Sequence, residues 1–405
     1  MSESLRNLST IEYGASPKEI RSNDSTSIGI YGTGGLVGSA TKPLFHGPLV
    51  VVARKGTLDK PLFISGDCWV IDTAYAVLPD ANVEAKWLYY NLLKYDLKKL
   101  NESTGVPSIS RDYLYRVTFE TFPLPEQRKI ARILSTVDAV IEKTEAAIAK
   151  YKAIKSGMMR DLFTRGIDLK TGKLRPMYED APELYKQSDF GWMPKEWEVV
   201  RIGEFSSIKG GKRLPAGRDF SDSETPFPYL RVTDMVDGSI NQSNLKYVPI
   251  EIEPIIRSYK ISTKDVYVTI AGTLGLFGTI PENLDNAQLT ENAAKITDYD
   301  SREFERDYIK NQCSSEIIQS QINREIGVGG GVPKLALFRI ARFFFFKPNI
   351  KEQSMIVSHI NKAEELINKE IANLSKETSI KQALMSDLLT GKVRVKYHEE
   401  KAEAQ

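Results

Sequence analysis

The segment from Glu126 to Thr164 aligns without a gap on the segment from Glu352 to Thr390, at a constant offset of 226 in a chain of 405 residues. A repeat of this kind constrains a fold more than composition does, because each copy must adopt the same local structure and needs the same kind of partner. Identical pairs include Glu126/Glu352, Gln127/Gln353, Ile130/Ile356, Ile141/Ile367, Lys143/Lys369, Lys150/Lys376, Ile154/Ile380, Lys155/Lys381, Met159/Met385, Asp161/Asp387, Leu162/Leu388 and Thr164/Thr390. The same offset pairs Gly105-Val106-Pro107 with Gly331-Val332-Pro333, so the repeat reaches back into the end of whatever precedes each copy.

Both copies read as long helices. Each follows proline (Pro123 and Pro125, or Pro348) and opens with Glu-Gln, which places an acid at the positive end of the helix dipole. Neither holds an internal proline, and the first is interrupted only by Gly157. Apolar residues of the first copy fall at Leu134, Val137, Ile141, Ile148, Tyr151, Met158 and Leu162, close to an a/d heptad seam. The second repeats the seam more weakly with Ile360, Ala363, Ile367, Leu374, Leu384 and Leu388. Lys155 and Lys381 both take an a position, which costs stability and specifies register. The alternative is that these lysines snorkel from an ordinary core edge. A helix of this length spans on the order of 58 Å at 1.5 Å per residue and needs a partner for its stripe. The simplest partner is the other copy, running antiparallel, with a pseudo-two-fold axis and one globular domain at each end.

The chain then divides into a first globular domain at 1–125, a helix at 126–165, a connector at 166–197, a second globular domain at 198–347, a second helix at 348–393 and a charged tail at 394–405. The connector reading rests on Gly166, Gly172, Pro176, Pro182, Gly191 and Pro194. In the first domain, strands are expected around Gly47 to Ala53 and Trp69 to Val77, and a helix around Glu84 to Leu100. In the second, strands are expected at Trp197 to Ile202, Asp265 to Ile270 and Ile340 to Phe346, with helix over Glu303 to Gln321. The expected class is therefore α+β: two mixed α/β domains joined by two long antiparallel helices that form a coiled coil. The globular domains do not align with each other outside short glycine-containing stretches.

Composition narrows the chemistry. With 41% hydrophobic and 27% charged residues the chain is expected to fold as a soluble protein. It has no apolar run of 18 residues and no leader-like N-terminus, so no membrane partner and a cytoplasmic location are expected. Cys68 and Cys313 are too few and too far apart for a disulfide scaffold or a cysteine zinc site, and His46, His359 and His398 are scattered, so no metal is expected. Lys plus Arg balance Asp plus Glu at 13 to 13 over 1–125 and 19 to 19 over 201–347, so DNA affinity would have to come from local basic surfaces. No Asn/Asp-Pro-Pro-Phe/Tyr element for base methylation is present. The glycine run at Gly29 to Gly38 lacks the third glycine of a dinucleotide fingerprint, and Gly327 to Lys334 lacks the Lys-Ser/Thr pair of a P-loop. Pro79-Asp80 with Glu84-Ala85-Lys86 imitates a nuclease motif, but its acids are too close in sequence to converge from separate strands.

A duplicated helix carrying two divergent domains resembles the specificity subunits of type I restriction-modification systems, over essentially the whole chain. The residues that carry the resemblance are Ile30-Tyr31-Gly32-Thr33-Gly34-Gly35 and Val52-Ala53-Arg54-Lys55-Gly56-Thr57 in the first domain. In the second they are Tyr229-Leu230-Arg231-Val232-Thr233-Asp234 and Asp265 through Thr273. Phe122-Pro123-Leu124-Pro125-Glu126-Gln127 opens the first repeated helix; the second departs from it with Pro348-Asn349-Ile350-Lys351-Glu352-Gln353. The resemblance implies that each globular domain reads one half of a split, asymmetric double-stranded DNA site while the helices space the domains and dock two modification subunits. Restriction subunits, acting as motor and nuclease, would join for cleavage. S-adenosylmethionine, ATP and magnesium would then belong to those partners, and this chain would hold no cofactor and catalyse nothing. The competing reading is a non-catalytic coiled-coil scaffold that binds only proteins.

For DNA contact the strongest segment is Lys209-Gly210-Gly211-Lys212-Arg213-Leu214-Pro215-Ala216-Gly217-Arg218, with cations at Lys209, Lys212, Arg213 and Arg218, no acid, and flexible glycines. Arg54, Lys55, Arg111, Arg231 and Lys334 are further candidates, each near a glycine or a turn. Lys152 to Arg175, with seven cations and two acids, is a candidate face for DNA or for an acidic partner surface.

Overall fold

The computed structural model describes residues 1–22, 28–236, 238–326 and 333–397. The glycine-rich run at 327–332, including the Gly331-Val332 part of the repeated tripeptide, and the tail beyond 397 lie outside the described residues. The chain forms two compact units, residues 1–148 with 369–405 and residues 149–368.

The first repeated segment is one unbroken helix, Leu124–Thr164, and the second is another, Ile350–Leu389. Each unit pairs the front of one helix with the back of the other. In the first unit Ile130, Ala131 and Leu134 share a core with Met385, Leu388 and Leu389; in the second, Leu162 and Phe163 share a core with Ile356, Val357 and Ile360. Helix order rises on one side as it falls on the other, so the pairing in each unit is antiparallel. None of the seam residues is exposed: Leu134, Ile148, Leu162, Ile360, Ile367 and Leu388 are buried, and Val137, Ile141, Tyr151, Met158, Leu374 and Leu384 are half-buried.

The a-position lysines are half-buried and paired with acids across the seam. Lys155 Nζ lies 2.7 Å from Glu364 in one unit, and Lys381 Nζ lies 2.6 Å from Asp138 in the other. Asp138 and Glu364 are themselves 226 positions apart, so this is one interaction made twice. Each helix start is tied down identically. The Gln127 carbonyl accepts from Glu84 N and its amide donates to Phe122 O; Gln353 does the same with Glu305 N and Pro348 O.

A second repeat, at offset 219, closes the helix pairs. Thr171-Gly172-Lys173-Leu174-Arg175 and Thr390-Gly391-Lys392-Val393-Arg394 each send an arginine onto the first glutamate of a long helix. Arg175 makes a two-pronged ion pair with Glu352 at 2.5 and 3.1 Å, and Arg394 does so with Glu126 at 2.8 and 2.6 Å. The segment read as a connector is thus part of the second unit's core. It carries a hairpin, Tyr185–Ser188 against Gly191–Pro194, and buries Ile167, Met193 and Trp197.

Each unit holds a globular domain of two four-stranded sheets. In the first domain the order is Ser9–Tyr13, Ala74–Pro79, Leu49–Ala53, Leu62–Ile64; in the second it is Ser207–Gly210, Ala293–Thr297, Val266–Thr269, Phe277–Gly278. All residues of Leu49–Ala53 and Val266–Thr269 are buried, as expected for central strands covered on both faces. The other sheets share a parallel pair, Ile28–Gly32 beside Cys68–Val70 and Pro228–Leu230 beside Ala287–Leu289. They differ in the outer strand, Arg21–Ser22 in one and Lys260–Ile261 in the other.

Several expected elements are shorter than the sequence pattern suggests. The helix expected to Leu100 is Ala85–Lys94, ended by extended Tyr95 and followed by a 3-10 turn, Leu97–Leu100. That expected over Glu303 to Gln321 is two helices, Arg306–Cys313 and Glu316–Ile326; between them the Ser315 hydroxyl donates to Gln312 O, competing with the helical ladder. The strand expected from Ile340 begins at Phe344, because Leu337–Arg342 forms a helix that buries Ile340. A short apolar run fits either state. Trp69 to Val77 is two strands, split at Asp72-Thr73 by a turn in which Ala74 N donates to Ile71 O.

Candidate nucleic-acid interface

The two domains, unalike in sequence, each build a rim of loops from the same set of backbone contacts. Gly14 N donates to Ala74 O and Ala15 N to Val70 O; Gly211 N donates to Ala293 O and Lys212 N to Leu289 O. Arg54 and Lys55 both donate to Thr73 O, as Ile270 and Ala271 do to Asn292 O. Ile109 N donates to Arg54 O, and Leu335 N to Ile270 O; Lys55 bridges Ser108 as Ala271 bridges Lys334. Ile71 N donates to Tyr31 O, and Thr290 N to Leu230 O. The close approach admits only glycine at its tightest point. A Cβ on Gly14 would lie 2.1 Å from Ile71 O, and one on Gly211 would lie 2.2 Å from Thr290 O.

In the first domain this rim gathers the candidates that were 57 positions apart. Arg54 and Arg111 lie 5.3 and 5.0 Å from the centre of one ring, Tyr13, and exposed Lys55 follows Arg54. Tyr13 itself was not among the sequence candidates, since an aromatic ending an edge strand carries no distinguishing pattern. Beneath it Tyr75 packs edge-on at 5.3 Å, its phenol pushed up to about 12 chiefly by burial.

In the second domain the rim carries a groove lined by Arg213, Arg218, Tyr229, Arg231, Glu291 and Asn292. The candidates there differ in how free they are. Arg231 is clamped by buried Asp234, its Nε and Nη2 donating at 3.0 and 2.7 Å, and Nη2 also donates to Asn244 O. That clamp, whose hydrogen bonds hold the guanidinium pKa above its ordinary value, makes Arg231 a loop staple more than a ligand. Lys209 is paired with Asp298 at 2.6 Å, which holds that carboxyl below its usual range. Lys212 is exposed, with Nζ 5.7 Å from the Tyr259 ring, and its carbonyl accepts from the buried Tyr229 hydroxyl. Arg213 and Arg218 are exposed and have no ion pair among the described residues. Lys334 is exposed beside the Gly272 turn.

The Lys152 to Arg175 stretch is largely spoken for. Lys155 holds Glu364, Arg160 holds Glu316, Arg165 holds Asp161 and Arg175 holds Glu352, leaving Lys152, Lys170 and Lys173 without an ion pair among the described residues. The glycine run at Gly29 to Gly38 is a hairpin, Ile28–Gly32 with Gly35–Ala40, and no helix follows to receive phosphate. The Glu84 carboxylate of the nuclease-like motif caps the helix Ala85–Lys94, accepting from Lys86 N, and so serves chain geometry. Among the described residues no cluster of His, Cys, Asp or Glu could hold a metal, and no helix is long and apolar enough to cross a membrane.

The family model for the type I restriction modification DNA specificity domain matches residues 4–151 and again 194–376, one match on each globular domain with its helix. The chain belongs to this family. Curated relatives agree with that placement. The MjaVIII specificity subunit of Methanocaldococcus jannaschii is 25% identical over 76% of this chain and 70% of its own length. The EcoBI specificity subunit of Escherichia coli is 22% identical over 78% of this chain and 67% of its own length. Among solved structures, the S subunit of the type I system of M. genitalium superposes with a TM-score of 0.61 at 16% identity, covering 96% of both chains. A chain from a structure describing complex assembly and conformational transition of a type I restriction-modification system gives 0.54 at 14% identity, covering 97% and 98%. At these identities the structural likeness speaks for the fold, and the family match speaks for membership.

Proposed function

We propose that this member of the specificity-subunit family reads a split, asymmetric DNA site, one half with each globular domain. In this reading the repeated helices set the spacing and dock two modification subunits. Restriction subunits join for cleavage, S-adenosylmethionine, ATP and magnesium belong to those partners, and the chain itself performs no catalysis. The observation that supports this best is that one backbone rim is built twice and decorated differently, as expected of two readers that share a scaffold and address unlike sequences. Two-fold symmetry in the side chains as well would favour a palindrome.

Domain exchange tests the reading. Replacing residues 201–347 with the equivalent domain of a relative is expected to change one half of the methylated sequence while the other half and the spacer stay, because the repeated helices are untouched. A hybrid in which both halves change, or the spacer shifts, overturns it. Within the second domain, neutralising Arg213 and Arg218 is expected to flatten the dependence of log K on log salt by about 0.9 for each phosphate no longer neutralised, while Lys209→Gln, already paired with Asp298, changes it little. A protein-only scaffold would show no salt-dependent DNA binding at all.

A further inference from the structure

We propose that Tyr13, Arg54 and Arg111 form a phosphate-binding fork in the first domain that the second domain lacks. The proposal rests on the DNA-reading function above and assigns one anchoring point within it. Arg54 leaves the end of the central strand Leu49–Ala53, Arg111 opens the helix Arg111–Tyr115, and Tyr13 ends the edge strand Ser9–Tyr13. The fold thus brings three separate elements to one exposed ring. Tyr13 is 47% exposed, and both guanidinium carbons lie within 5.3 Å of its centroid.

The arrangement is held from below. Tyr75 packs edge-on against Tyr13, and its hydroxyl donates to Ile109 O at 3.1 Å. Arg54 Nη1 donates to Asp72 O at 3.2 Å, which fixes that guanidinium through a neutral carbonyl. Neither Arg54 nor Arg111 has an ion pair among the described residues; the nearby acid Asp112 faces Arg6 at 3.6 Å, and Asp72 meets Arg54 through its backbone. Two planar cations gathered at one ring, neither held by an ion pair among the described residues, offer the planar donor forks that bind phosphate. Contacts of this kind position a duplex without reading it.

The second domain has the same backbone here and none of the chemistry. Gly210, Ile270 and Leu337 stand where Tyr13, Arg54 and Arg111 stand, as the shared hydrogen bonds and the 226 offset establish. A Cβ on Gly210 would lie 3.6 Å from Leu337 Cδ1, so the neighbour at this spot is apolar. The second domain must hold its DNA through other cations, of which Arg213 and Arg218 are the exposed pair.

The experiment uses the full chain assembled with its modification subunits, and measures duplex binding by fluorescence anisotropy across a salt series. The double substitution Arg54→Gln with Arg111→Gln is expected to weaken binding to specific and non-specific duplexes alike, and to lower the salt slope by about 0.9, for the one phosphate that the fork holds. Arg54→Lys with Arg111→Lys keeps the charge and should keep most of the slope. An unchanged slope in the Gln variant overturns the fork, as does a changed methylated sequence with the slope intact, which would make these arginines base readers. A loss of slope shared by the Gln and Lys variants, with a lowered melting temperature in both, also overturns it by tracing the effect to folding. If Arg213→Gln with Arg218→Gln still flattens the slope while the first-domain variant does not, the DNA-reading function stands and the fork falls. If the parent complex shows no salt-dependent binding, both fall.

Discussion

Strand Leu49–Ala53 of the first domain and strand Val266–Thr269 of the second hold the same place in the same sheet order, yet one runs out into Arg54-Lys55 and the other into Ile270-Ala271. Both exits donate to a single carbonyl, Thr73 or Asn292, and both turn at a glycine with positive φ, Gly56 at 92° and Gly272 at 79°. Backbone geometry is therefore held constant where surface chemistry changes. The two arginine latches show a different asymmetry. Arg175 is 6% exposed and also reaches Glu196 at 2.8 Å, whereas Arg394 is 62% exposed and reaches only Glu126 among the acids of the described residues. The same ion pair is sealed in one unit and open to water in the other.

That contrast predicts the largest effect. Arg175→Ala would leave a carboxylate that is 2% exposed without its counter-charge, with the Ile167 N–H still donating to it, and removing one partner of a buried pair costs about 3–5 kcal/mol. Arg394→Ala also leaves a buried acid, Glu126, but it removes the exposed side chain that covers it, so water can take the arginine's place. Denaturant unfolding read through hydrogen exchange in each unit separately should show the second unit losing far more than the first. Equal losses would mean that the sealing makes no difference to the pair.

The backbone comparison can be broken at its tightest contact. A methyl at Gly14 or Gly211 would meet a carbonyl oxygen at 2.1 or 2.2 Å, and the main chain would have to move. Gly14→Ala and Gly211→Ala should each cost on the order of 3 kcal/mol, the upper end of overpacking, and by similar amounts. A tolerated alanine at one site would show that the rim is not the same structure twice.

Much of this was legible in the sequence. The helices were, because a seam such as Leu134, Val137, Ile141 and Ile148 repeats over enough turns for its period to be unmistakable and has a second copy to check against. The equivalence of the rims was not. It is carried by backbone hydrogen bonds, to which Gly14 and Gly211 contribute only by lacking a side chain, and strand pairs such as Val50 with Val77 bring together positions that sequence distance hides. The candidate cations were legible as a set, but their freedom was not: Arg231 and Lys209 read like Arg213 and Arg218 until Asp234 and Asp298 are placed beside them. Tyr13 was missed because nothing local marks it, and only the fold puts two arginines on its ring. Connector prolines and glycines read as linker, yet Arg175 and Trp197 within that stretch are buried parts of a core.

The lysines at the helix seam give a smaller, more exact comparison. Lys155→Met leaves Glu364 with Lys310 at 4.0 Å, and Lys381→Met leaves Asp138 with the Tyr90 hydroxyl at 2.6 Å. Each acid is about a third exposed and keeps one polar neighbour, and methionine packs along the seam as the lysine stem did, so each substitution should cost about 1 kcal/mol, the upper end for partly exposed pairs. Thermal melts that differ widely between the two variants would show that only one of the pairs sets the helix register.

The smallest effect concerns protons. The hydrogen bonds from Arg394 hold the Glu126 carboxyl below its ordinary value of 4.5, the Val395 N–H adds to this, and burial opposes it. Because the pKa is lowered in the folded state, the unfolded chain binds more protons near that value, so this group stabilises the fold above pH 4.5 and loses its contribution as pH falls through the depressed folded value. Acid also titrates every other carboxylate, so the informative quantity is the difference between the parent and Glu126→Gln, which keeps the shape and can still accept from Val395 N without carrying charge. Hydrogen exchange at the start of the helix Leu124–Thr164 should show the parent better protected at about pH 6 and the gap closing on acidification below 4.5. A gap that stays constant with pH would mean that the charge on Glu126 contributes nothing and that the latch works through shape and hydrogen bonding alone.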